Sequence, residues 1–63
     1  MIWLSEVLIQ HHELASFADL INVIQARARE GERFLRMDVQ PPFADTPPDW
    51  ESRIESAFTS ALD

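Results

Sequence analysis

The sequence has no cysteine and a single glycine, and these two absences close off several chemistries. Without cysteine there are no disulfides, thiolate zinc sites or iron–sulfur clusters. With Gly31 as the sole glycine, there is no glycine-rich loop to cradle a phosphate. Lysine is missing as well. The five bases are all arginine (Arg27, Arg29, Arg33, Arg36 and Arg53) and stand against eleven acids, for a formal net charge of −6. Phosphate backbones attract cationic surfaces, so nucleic acid is disfavoured as a partner. Long apolar runs are also absent, because Glu6, Gln10, His11 and His12 interrupt the N-terminal stretch well short of transmembrane length. No basic N-region with a cleavage pattern precedes it. The expectation is a soluble, cytoplasmic protein with no membrane partner, and the lack of cysteine is compatible with that compartment.

At 63 residues, positions 1–63 form one small domain at most. A chain of this size buries only about 60% of the surface its unfolded form exposes, so stability is marginal without a staple. The hydrophobic fraction of 46% argues against wholesale disorder. With disulfides excluded, oligomerisation is the expected staple.

The surest element runs from Ser16 to Gly31. Ser16 followed by Asp19 three residues later is a helix-start signature, and Asp19 suits the positive end of the helix dipole. Phe17, Leu20, Ile21, Ile24 and Ala28 recur at helical spacing as one apolar stripe. Arg27 and Arg29 fall in the last turns, where cations are favoured, and Gly31 can take the left-handed stop position.

Residues 2–14 read two ways. As a helix, Trp3, Leu4, Val7, Leu8 and His11 share a face. As a strand, Trp3, Val7 and Ile9 lie on one side and Leu4 and Leu8 on the other. The cap at Ser16 implies a different element before it, and a strand supplies a partner for a later one, so the strand is preferred. After Gly31, Leu35, Met37 and Val39 alternate with Arg36 and Asp38 in the period-two pattern of a half-buried strand, which Pro41 and Pro42 end. A second helix follows, with Thr46 as cap, Pro47 at the first position and Asp49 and Glu51 in the first turn. Its apolar stripe is Trp50, Ile54, Phe58, Ala61 and Leu62, with Ala57 beside it. The expected fold is α+β: a small β-α-β-α unit with parallel strands, its two helices packed on one face of a short sheet and completed by oligomerisation. The alternative is a mostly α chain with a long N-terminal helix.

Candidate chemistry is sparse. On a strand, His11 and His12 point to opposite faces and do not converge on one ion, so no metal site is assigned. Glu51 and Glu55 form an exposed charged face flanking Arg53, and no serine sits in a nucleophile elbow. No catalytic residue and no cofactor is assigned, and the expectation is a protein that is not an enzyme. The segment Gln40–Trp50 is the most distinctive, with four prolines and two aromatics. It is either a rigid connector whose Phe43 and Trp50 cap the core or a preorganised recognition loop. Phe34 shares a strand face with Arg36 and Asp38 on the open side of the sheet.

The leading functional expectation is a small acidic interaction module, an accessory or regulatory protein that docks on another protein and self-associates as a homodimer. Its partner-binding candidates are Phe34, Arg36, Asp38, Phe43 and Trp50. The alternative is a nucleic-acid-mimicking inhibitor or antitoxin-like protein that occupies a basic site, although the acids form no dense row along either expected helix. An enzyme site formed between subunits is a third class that no nucleophile, metal set or phosphate loop supports.

Overall fold

Ser16 and Asp19 cap a helix as their spacing predicts. The Ser16 hydroxyl accepts the Asp19 N–H at 3.1 Å, and Asp19 Oδ2 reaches back to the Ala15 N–H at 3.2 Å. In the computed structural model, which describes residues 1–62, the chain runs β1 (Ile2–Trp3), α1 (Leu4–Gln10), α2 (Phe17–Arg29), β2 (Leu35–Arg36) and α3 (Trp50–Ser60). Gly31 closes α2 with φ +109°. Its N–H donates to the Ala28 carbonyl at 3.1 Å and the Glu32 N–H to the Arg27 carbonyl at 3.3 Å, the two bonds of a Schellman motif.

The architecture is a small α+β unit. β1 and β2 form a two-stranded parallel sheet in the register Ile2↔Leu35 and Trp3↔Arg36. Leu20 and Ile24 of α2, Ile54 and Phe58 of α3, Leu4 and Val7 of α1, and Ile2 of β1 meet in one apolar core. Of the expected α2 stripe, Phe17, Leu20, Ile24 and Ala28 are buried and Ile21 packs against the core's margin. No helix among the described residues is long and apolar enough to cross a membrane.

Three expectations are corrected. Residues 2–14 are neither one strand nor one long helix, because the strand stops at Trp3, a seven-residue helix follows, and a turn leads from His11 into α2. The reason is spacing plus a remote cap. Leu4 and Val7 fall one turn apart and are both buried, while Asp38 supplies the hydrogen bonds that the N-terminus of α1 lacks locally. β2 is shorter than the alternation through Val39 suggests, since β1 has become a helix by Leu4 and gives Met37 and Val39 no strand to pair with. α3 starts at Trp50 rather than at Pro47. The Thr46 hydroxyl donates to the Pro41 carbonyl instead of capping, and the Trp50 N–H closes a turn onto the Pro47 carbonyl at 3.2 Å.

Candidate functional site

The pleat of the sheet sorts its side chains. Ile2 points into the core at 2% exposure, so its neighbours Met1 and Trp3 face outward, at 64% and 40%. Directly paired residues in a sheet share a face, which puts Arg36 beside Trp3, with its guanidinium carbon 5.3 Å from the indole centroid. Phe34, two residues earlier on the same face, is 69% exposed. The outer face of the sheet is therefore an apolar surface (Met1, Trp3, Phe34) carrying a cation stacked on an aromatic ring. A cation–π contact at such an exposed site contributes about 0.5–1 kcal/mol.

The arginines divide by region. Arg27 lies within 4 Å of Glu30 and Glu32, and Arg53 donates to Asp49 at 2.8 Å. Among the described residues, Arg29, Arg33 and Arg36 have no carboxylate within that range. Arg36 lies in β2 and Arg33 just before it.

Asp38, expected on the docking face, is occupied within the chain. Its carboxylate accepts the Ser5 N–H at 3.0 Å and the Ser5 hydroxyl at 2.5 Å, capping α1 from 33 residues away. Those two bonds, the hydroxyl first, hold its carboxyl below the ordinary aspartate range. Asp45 acts in the same way on α2, accepting the Phe17 N–H at 2.8 Å. Both carboxylates sit where helix N-termini favour negative charge.

These contacts settle the arrangement of the proline-rich segment. Pro41 is buried, and Phe43 and Trp50 are half-buried against the core, with Asp45 and Thr46 tying the loop down. Phe43 and Trp50 take the places of a connector that covers the core.

A shallow groove of about 650 Å³ runs between α2 and α3, with Phe17 and Ile21 among the lining residues and Asp45, Asp49 and Arg53 at its polar margin. Asp45 is committed to the end of α2. Asp49 is held below its usual range first by its hydrogen bond from Arg53, as an exposed ion pair one turn apart. His11 closes α1 and His12 lies in the following turn, not on a strand. His11 Nδ1 is 3.2 Å from Glu13 Oε2. The Glu13 carboxyl is lowered by its own backbone N–H and then by His11. Among the described residues, no three His, Asp or Glu side chains converge as metal ligands.

The two remote caps were invisible to sequence reading because each joins residues about thirty positions apart. Trp3 was placed on a strand face, but together with Val7 and Ile9, which belong to α1 instead; Met1 was missed because it lies just before a strand only two residues long. No protein-family model, curated protein or solved structure matches the chain.

Proposed function

We propose that this chain is a protein-interaction module of the cytoplasm that acts by docking, not by catalysis, through the outer face of its sheet. The observation that carries this reading is the exposure of Phe34 beside Trp3 and Met1, on the face opposite the core. Exposed aromatics set next to an arginine are the residue types that most often anchor interfaces. Arg36, which has no carboxylate within 4 Å, adds a preference for a partner surface that is acidic around an apolar centre. The reading draws on Phe34 and Arg36. Asp38, Phe43 and Trp50 support it indirectly by holding the sheet and its connector in place.

The test is affinity capture with the wild-type chain, Phe34→Asp and Glu51→Gln side by side, each verified for helix content by circular dichroism. A specific partner should be retained by the wild type and by Glu51→Gln. Phe34→Asp should lose it by at least about tenfold, the scale of a single interface anchor. Equal retention by all three would place binding elsewhere.

A further inference from the structure

The outer edge of β2 has the geometry to pair with itself. Parallel strands bond through alternate residues. The register Ile2↔Leu35 and Trp3↔Arg36, with the Ile2 N–H donating to the Phe34 carbonyl at 2.9 Å, turns the polar groups of Phe34 and Arg36 toward β1. Those of Leu35 are left on the far side. Among the described residues, no turn or loop backbone supplies a partner for them. β1 offers no equivalent edge, because its chain becomes α1 at Leu4. The two-stranded sheet is held by packing its inner face on the helices, which leaves its edge as an open template for a further strand.

We infer that a second copy of this chain occupies this edge, with the two β2 strands antiparallel about a two-fold axis through Leu35. The inference rests on the docking reading in one respect, that the sheet side is the interacting side, and it commits that side's edge to self-pairing. With the axis at Leu35, the two Leu35 residues exchange both backbone hydrogen bonds. Phe34 then faces the partner's Arg36 in the closely spaced, non-hydrogen-bonded position, where cross-strand side chains interact most strongly. Arg33 faces the partner's Met37.

Neighbouring registers are worse. Centring on Arg36 opposes two arginines, and centring on Phe34 sets Leu35 against an arginine on the core side. Within residues 33–37 the only charges are two arginines, each opposite an apolar side chain. The next pair outward sets Glu32 against the partner's Asp38, and each of these carboxylates is already engaged within its own chain, by the Met1 ammonium and by Ser5. The product is a closed dimer with a four-stranded sheet in the order β1-β2-β2-β1. Its outer face displays two copies of Trp3, Phe34 and Arg36, a larger docking surface than either chain presents alone.

Light scattering across a dilution series tests this, with Phe34→Arg and the double variant Phe34→Arg/Arg36→Glu beside the wild type. Phe34 is exposed, so neither change disturbs the core, and circular dichroism checks that. The wild type should show twice the 7.3 kDa chain mass. Phe34→Arg, which opposes like charges at both cross-strand positions, should raise the dimer dissociation constant at least tenfold. The double variant should recover the dimer through two opposite-charge pairs. Should either variant misfold, hydrogen exchange on the wild type decides: the Leu35 amide should be protected in concentrated solution and lose protection on dilution. A wild-type monomer at every concentration, a larger assembly, or a dimer indifferent to both variants would overturn the inference. A monomer that still captures a partner through Phe34 would overturn the dimer and leave the docking function standing.

Discussion

The α2–α3 side and the sheet side of this small domain are stabilised in different ways. α2 carries its own start, stripe and stop. Ser16 caps it, Leu20 and Ile24 are fully buried against α3, and Gly31 closes it with two hydrogen bonds. On the sheet side, β1 and β2 contribute two residues each, and α1 has no side-chain cap of its own. That side is held by contacts distant in sequence: Ile2 to Phe34, Ser5 to Asp38, and the Met1 ammonium to Glu32 at 3.3 Å. The lesson is that α2 is specified locally at both ends, with Asp45 adding a remote cap. The sheet side has no local cap or stop of its own, depends on non-local contacts throughout, and leaves an apolar face and an edge without partners.

Breaking the α2–α3 side should have the largest effect. Leu20→Ala removes a fully buried side chain from the α2–α3 contact and should cost about 2–5 kcal/mol in denaturant unfolding, enough to unfold much of a marginal domain. The caps sharpen the contrast. Ser16→Ala, a local cap, and Asp45→Ala, a remote one, should each cost about 1 kcal/mol. The Asp45 variant alone should also loosen the loop, read as faster hydrogen exchange around Thr46. Gly31→Ala meets no steric obstacle, so its cost should be the conformational penalty of positive φ, about 1 kcal/mol.

Acid should act on the sheet side. The Asp38 carboxyl is lowered in the folded chain, so its ionised form is favoured by folding. Its contribution is fully present above the unfolded value near 3.8 and is lost as pH falls through the lower folded value. Followed by NMR, the Ser5 amide should therefore shift in that acid range. Asp38→Asn should abolish this titration while leaving α2 unchanged. The smallest effect is expected from Arg36→Ala, which removes the stack on Trp3 and should cost about 0.5 kcal/mol of stability, but should change the indole fluorescence.

This contrast also explains what the sequence could disclose. α2 was legible to the residue at both ends because its cap, stripe and stop are all encoded within sixteen positions. The α+β class followed from that helix together with the strand preferred at the N-terminus and the alternation of Leu35, Met37 and Val39. The N-terminal segment misled because Leu4, Val7, Leu8 and Ile9 fit both periods, and the choice is made by Asp38, 33 residues from Ser5. Thr46 has the chemistry of a cap, yet its hydroxyl is drawn to the Pro41 carbonyl, so α3 begins later. Of the candidate site, the exposure of Phe34 and Arg36 was readable from strand alternation. The half-burial of Phe43 and Trp50 was one of the two readings that the proline-rich segment offered. The structural duty of Asp38 was not readable, because its partner Ser5 lies 33 positions away.

The central claim is that interaction belongs to the sheet side. An NMR dilution series on the wild-type chain, assigned residue by residue, tests it most directly. Concentration-dependent amide shifts should cluster at Met1–Trp3 and positions 33–37, with the α2–α3 groove unmoved. Shifts centred on the groove residues Ile21, Ser52 and Arg53 would contradict the account, and no shifts together with a monomeric mass would overturn the dimer.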